Sequence, residues 1–154
     1  SSLWEANMEV LDPKNSGIDL FDEDWKIYSR NSGMTGHKIG SDAVIKNSMI
    51  TDGCRIDGEV EHSVLFAGVK VAPGAVVKDA VVMGGTVIKP GAVVEHCIIG
   101  ENAVIGENAK IGVEKEGEDK GVATIGPGVY VGDGATVGSN AMVRENVKDG
   151  EEEW

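Results

Sequence analysis

Large aliphatic residues recur along this chain on a beat of six positions, beginning near Ile39 and running almost to the end. Ile99-Gly-Glu-Asn-Ala-Val is followed by Ile105-Gly-Glu-Asn-Ala-Lys and then Ile111-Gly. After a break the beat returns as Ile125-Gly-Pro-Gly-Val-Tyr, Val131-Gly-Asp-Gly-Ala-Thr and Val137-Gly-Ser-Asn-Ala-Met. A short fixed period of this kind marks a solenoid. The aliphatics fall into three columns: Ile39, Ile56, Val71, Ile88 and Ile105; Ile45, Val60, Val77, Val94 and Ile111; Ile50, Leu65, Val82 and Ile99. Within a column the step is 17 residues, with one step of 15. Three sides therefore make one coil, and the expected fold is an all-β parallel β-helix of triangular section with coils about 4.8 Å apart. The hexapeptide form of this solenoid winds left-handed, a departure from the usual right-handed crossover.

Two further columns support the register. Two positions before the aliphatics stand mostly small residues, among them Ala43, Ser48, Cys54, Ser63, Ala75, Ala80, Ala92, Cys97, Ala103, Ala109, Ala135 and Ala141. They are expected to point inward, where the prism narrows. Three positions before the aliphatics stand Asp42, Asn47, Gly53, Asp57, His62, Gly68, Gly74, Asp79, Gly85, Gly91, His96, Asn102, Asn108, Gly128, Gly134 and Asn140. These residue types tolerate positive φ, so this column is expected to make the corners.

The β-helix is expected over 39–147, with an insertion loop at 113–123 that carries the charged run Glu114-Lys-Glu-Gly-Glu-Asp-Lys120. Residues 148–154 read as an acidic tail, and 1–38 as a short helix and linker. In the helix, Trp4, Met8 and Leu11 share a face. Asp12-Pro13 ends it and Asn15-Ser-Gly17 turns, while Trp25-Lys-Ile-Tyr-Ser29 has the period-two pattern of an extended stretch. A helix this short is marginal alone. Its apolar face is expected to pack on the first coil or on another domain.

Composition narrows the function classes. The 154 residues carry 22 glycines and only 5% aromatics, which suits a thin core of aliphatic and small side chains. The formal charge of −12 argues against nucleic acid and against an anionic membrane surface as partners. No secretory leader or long apolar run is visible, so a cytoplasmic location is expected. Cys54 and Cys97 fall in the small inward column and read as reduced core residues.

The candidate chemistry is thin. His62 and His96 stand in the corner column with Asp79 between them, two coils or about 10 Å apart. Two ligands at that spacing cannot share one metal ion. A histidine in such a corner could act as a general base, but His is also one of the few residues that accept the turn. Gly126-Pro-Gly-Val-Tyr-Val-Gly132 approaches a dinucleotide fingerprint, yet its glycines merely follow the hexad and no helix comes after. No catalytic, cofactor-binding or metal-binding residue is assigned.

Outside the repeat, Ser2-Leu-Trp-Glu-Ala-Asn-Met8 resembles the linker that follows the catalytic domain of bacterial glucose-1-phosphate adenylyltransferases. Leu20-Phe-Asp-Glu-Asp-Trp-Lys-Ile27 is similar to that family's approach to its β-helix. Asn47-Ser-Met-Ile, Gly53-Cys and Gly58-Glu-Val-Glu-His-Ser-Val-Leu-Phe66 resemble its first coils. The resemblance implies a parent enzyme that makes ADP-glucose and pyrophosphate from ATP and glucose 1-phosphate, in glycogen synthesis, with Mg²⁺ in an N-terminal catalytic domain. That domain's motifs have no counterpart here, so the resemblance implies a regulatory and oligomerisation fragment with no cofactor of its own. It also implies that Trp4, Met8 and Leu11 pack against the missing domain, that the assembly is a homotetramer, and that an anionic small-molecule effector binds at the domain interface. Lys70 and Arg144 are the allosteric candidates, and Pro127 stands where the family has a basic effector contact. The alternative is a free-standing hexapeptide acyltransferase using His62 or His96.

Overall fold

The structure, a computed structural model, describes residues 2–11 and 36–154. The readings at Asp12-Pro13, Asn15-Ser-Gly17 and Trp25 to Ser29 lie outside the described residues.

The aliphatic columns become three stacked parallel faces. The first face holds Lys38–Ile39 (β1), Arg55–Ile56 (β4), Lys70–Val71 (β7), Val87–Ile88 (β9), Val104–Ile105 (β11) and Tyr130–Val131 (β14), hydrogen-bonded in that order. The second holds Val44–Lys46 (β2), Glu59–Glu61 (β5), the first half of Val76–Val82 (β8), the first half of Val93–Ile99 (β10), Lys110–Val113 (β12), Thr136–Gly138 (β15) and Glu152–Glu153 (β17). The third holds Met49–Ile50 (β3), Val64–Leu65 (β6), the second halves of β8 and β10, Ala123–Ile125 (β13) and Met142–Val143 (β16). Ile39 pairs with Ile56, Ile56 with Val71, Val71 with Ile88 and Ile88 with Ile105, as the 17-residue step requires.

The sides are not equivalent. Along the chain, Val71 to Val77 and Val82 to Ile88 are six-residue steps, while Val77 to Val82 is five. At the five-residue corner the strand runs through the bend, which is why β8 and β10 are seven residues long. We label this corner the tight corner. One short coil accounts for the 15-residue step: Ile56 and Val60 are separated only by Asp57, Gly58 and Glu59. Gly58 is required there because a Cβ would meet the carbonyl oxygens of Ala75 at 2.5 Å and Ala72 at 2.7 Å.

The core is the inside of the prism. Ile56, Leu65, Ile88, Ile99 and Ile105 are fully buried, and Cys54, Ala75, Ala80, Ala92, Cys97, Ala103, Ala109 and Ala135 fill the narrow positions as the small column requires. Inward polar residues are satisfied: Thr86 Oγ1 donates to the Gly100 carbonyl at 2.8 Å, and Ser63 Oγ donates to Glu61 while accepting from Ala80 N–H. Burial raises the thiol pKa of both Cys54 and Cys97, and the two are free.

Four expectations need correction. Residues 148–154 are not a loose tail: Thr136 pairs with Glu152 and Val137 with Glu153, so β17 closes the last coil. Backbone pairing there does not need an aliphatic side chain, so the sequence pattern hid it. The corner column holds, with positive φ at Asn47, His62, Asp79, His96, Asn102 and Asn108, but Asp42, Asp57 and Asn140 do not adopt it. At Asp57 the shortened coil removes the usual turn. The insertion lies between Val113 and Ala123, which are themselves strand ends. Finally, the helix Ser2–Val10 (α1) packs neither on the first coil nor only toward another domain. Met8 and Leu11 are buried against Val64, Val81 and Ile98, the outward residues of the third face. Three successive apolar residues on that outer surface supply the area that a short helix needs.

Candidate functional site

The tight corner gathers most of the chemistry. Its left-handed residues, Asn47, His62, Asp79 and His96, lie one above another. The next coil would continue the column after Ile111. Instead Gly112 (φ 85°) starts the insertion, which returns at Ala123 after extending the coil-to-coil step to 26 residues, Ile99 to Ile125. The loop thus emerges from the same corner. α1 lies on the adjoining third face.

His62 Nδ1 lies 2.7 Å from Asp79 Oδ1. His96, the next histidine in the column, is not joined to this pair by side chain. Its ring stacks under Trp4 with centroids 4.4 Å apart and planes at 22°. The Trp4 indole N–H donates to the Asp79 carbonyl at 2.8 Å. Burial holds the His96 pKa below its ordinary value, and the Lys120 charge adds to this, against the opposing pull of Asp79 and Glu114. A neutral imidazole packed under an indole serves as a docking surface for α1.

The loop is tied down on several sides. Lys120 Nζ pairs with Glu114 at 2.9 Å, Asn140 Nδ2 donates to the Asp119 carbonyl at 3.0 Å, and Lys115 Nζ lies 5.4 Å over the Trp154 ring. Val122 joins the apolar cluster under α1. The Glu114–Lys120 hydrogen bond raises the Lys120 pKa. Helix, corner and loop therefore form one connected surface along the middle coils of the solenoid.

The sequence placed His62, Asp79 and His96 in one column, because a 17-residue step makes neighbours of adjacent coils. It missed the Trp4 contacts, for which no sequence periodicity gives a signal. The allosteric candidates fall apart in space. Lys70 is exposed on β7, beside a cavity of about 370 Å³ shared with Arg55, Asp57, Ala72 and Val87. Arg144 is exposed on the last coil, in a cavity of about 380 Å³ lined also by Glu145, Glu151 and Glu153. About four coils, or roughly 19 Å along the axis, separate the two. Pro127 lies between Gly126 and Gly128 at a corner, where its backbone sits close against Gly100. Among the described residues no three His, Cys, Asp or Glu side chains converge as a metal site. None of the described helices is long and apolar enough to cross a membrane.

A family model described as GlmU-like, C-terminal hexapeptide matches residues 32–132. The glucose-1-phosphate adenylyltransferase of Clostridium perfringens (strain SM101 / Type A) is 52% identical over 82 residues, which are 53% of this chain and 21% of that protein. The protein of the same name from Geobacillus stearothermophilus is 49% identical over 77 residues, 50% of this chain and 20% of that protein. The chain thus spans about a fifth of the length of these relatives. Among solved structures, the acetyltransferase domain of PglB from Neisseria gonorrhoeae FA1090 aligns with a TM-score of 0.52 at 22% identity, covering 77% of this chain and 54% of that one. At that identity the likeness is one of fold.

Proposed function

We propose that this chain, which belongs to the GlmU-like C-terminal hexapeptide family, is the C-terminal regulatory and assembly part of a glucose-1-phosphate adenylyltransferase. The observation that carries this reading is the 52% identity to the Clostridium perfringens enzyme over 82 residues, combined with coverage of only 21% of that enzyme. The parent reaction is transfer of the adenylyl group of ATP to glucose 1-phosphate, with pyrophosphate leaving. The nucleotide and Mg²⁺ belong to the parent's catalytic domain. The chain's part is to stack as a rigid prism, to hold α1 through Trp4, His96 and Asp79, and to offer surfaces for other copies and for an anionic effector. Lys70 and Arg144 are effector candidates in this reading, as separate contacts rather than one site. A cytoplasmic location follows from the same reading.

The acyltransferase alternative would need a free histidine. Trp4 covers one face of His96, whereas His62, held by Asp79 through Nδ1, keeps Nε2 free, so His62 is the residue on which that alternative is tested.

The test has two parts. The coding sequence upstream of the Ser1 codon is read for an in-frame glycine-rich nucleotidyltransferase domain. ADP-glucose formation from ATP and glucose 1-phosphate is then assayed for this chain and for the extended product. Turnover only in the extended product supports the proposal. Acyl-CoA turnover by this chain that disappears in His62→Asn or His96→Asn overturns it.

A further inference from the structure

The interior of the prism is built from Ile, Leu, Val, Ala and Cys, and among the described residues no methionine stands in it. Methionine collects at the seat of α1 instead. Of the five in the chain, Met8, Met49 and Met83 belong to the one apolar cluster that holds the helix. Met142 lies apart, 66% exposed on the last coil, and Met34 falls outside the described residues. The floor of the seat is the outward row Val64, Val81 and Ile98, joined in register from coil to coil. Met49 continues that row past Val64. Met83 stands two positions beyond Val81, on the same outward side of the strand. Met8, on the helix, is buried at 7% exposure, whereas Met49 and Met83 are half-buried. The two therefore border the seat and remain open to small solutes. An unbranched thioether fills the irregular gap between a helix and a sheet face, and a peroxide converts it into a polar group.

We propose that Met49 and Met83 form an oxidation-sensitive latch for α1: a peroxide converts their thioethers to sulfoxides, and the helix leaves the third face. In each step the peroxide O–O bond breaks and an S–O bond forms. Sulfur is oxidised by two electrons, the peroxide is reduced, and water leaves. A dithiol reverses the step through a methionine sulfoxide reductase, giving thioether, disulfide and water. The new sulfoxide oxygen needs a hydrogen-bond donor, and the seat offers it apolar side chains. Trp4, the polar member of the cluster, already gives its indole N–H to the Asp79 carbonyl. The sulfoxide therefore recovers its hydration when the helix departs. A nine-residue helix has little stability of its own, so a loss at its seat becomes a loss of docking. The prism itself is spared, because its interior lacks methionine and its thiols, Cys54 and Cys97, are buried. This inference goes beyond the function proposed above and does not depend on it.

Hydrogen peroxide treatment of the 154-residue chain carrying Met34→Leu tests it. Peptide mass spectrometry reads which methionines gain oxygen, and hydrogen exchange reads α1. Met142 should oxidise first, Met49 and Met83 next, and Met8 only as the helix leaves. Once Met49 and Met83 are converted, protection of Ser2–Val10 should fall at least about tenfold while β8 and β10 keep theirs. Methionine sulfoxide reductases with dithiothreitol should restore it. Adding Met49→Leu and Met83→Leu keeps the apolar volume without the sulfur, and α1 should then stay protected through the same treatment. Met49→Gln with Met83→Gln should loosen α1 with no peroxide present. Four results would overturn the proposal. They are α1 protection that is absent before treatment or undiminished after full conversion; Met49 and Met83 still reduced when Met142 is fully oxidised; equal loss in the leucine variant, which would put the sensitive sulfur at Met8; and loss of protection in β8 and β10 together with the helix.

Discussion

At the tight corner the left-handed positions are Asn47, His62, Asp79 and His96, whereas at the corner one side further on they are Gly53, Gly68, Gly85, Asn102 and Gly128. Both corners turn the chain through the same region of φ. A side chain costs roughly 1 kcal/mol or more in that conformation, least for Asn and Asp, and glycine avoids the cost. The glycine-rich corner uses that freedom to let coils approach: a Cβ on Gly85 would run into the Asn102 side chain. The tight corner retains side chains and employs them. His62 reaches Asp79 on the next coil, and His96 carries Trp4. A corner that accepts strain in exchange for side chains is where a solenoid can attach something, and here it attaches a helix and a loop.

The largest expected effect comes from forcing the tight corner to carry a side chain where it has none. Gly112 begins the insertion at φ 85°, and a Cβ there would run into the backbone oxygen of Glu95. Gly112→Ala should cost about 3 kcal/mol or more, by left-handed strain plus a clash with backbone that cannot rotate away. Denaturant melts check this. A loss below 1 kcal/mol would mean that the loop base can shift, and the tight corner would then be no more rigid than its neighbour.

Next in size is removal of what the tight corner holds. Trp4→Ala deletes the stack on His96 and the hydrogen bond to the Asp79 carbonyl, and should weaken docking of α1 by about 2 kcal/mol. Trp4→Phe keeps a ring but loses the donor, for about 1 kcal/mol. Hydrogen exchange at Ser2–Val10 reads both, since the coils themselves should remain protected. Equal protection in the wild type and in Trp4→Ala would show that Met8 and Leu11 alone seat the helix.

The same contrast explains what could be read from the chain. The columns of Ile88, Ile99 and Ile105 repeat because each coil buries its aliphatics only on its neighbours, so period, register and corners are all written locally. The His62–Asp79–His96 column was legible for the same reason. The Trp4 contact was not: Trp4 and Asp79 are 75 positions apart and share no period. The outward residues Val64, Val81 and Ile98 gave a partial signal, being apolar where the pattern calls for surface, and they mark where α1 lies. Glu152 and Glu153 escaped because strand pairing at the end of the stack is a backbone property.

Smaller still is the difference between residue types within the tight corner. His62→Asn preserves tolerance of the left-handed turn and should change stability by less than about 0.5 kcal/mol, whereas His62→Ala should lose about 1 kcal/mol. Thermal melts of the pair separate the turn from the Asp79 bond. If Asn is as costly as Ala, the bond to Asp79 rather than the turn is what His62 supplies.

The smallest effect is set by protons. Docking of α1 buries His96 and holds its pKa below the ordinary 6.5, so the docked form takes up a proton less readily than the undocked one. The undocked state therefore binds more protons below that value, and linkage makes docking strengthen as pH rises through this window. The contribution is present in full above pH 6.5 and declines as acid protonates the imidazole, with Lys120 adding to the penalty and Asp79 and Glu114 reducing it. Exchange protection of α1 should be lower at pH 5 than at pH 7.5, and the difference should vanish in His96→Asn. An indole also attracts a cation across its face, which works in the opposite sense. Stronger protection at pH 5 would show that this attraction outweighs desolvation, and that His96 holds Trp4 as an imidazolium rather than as a neutral ring.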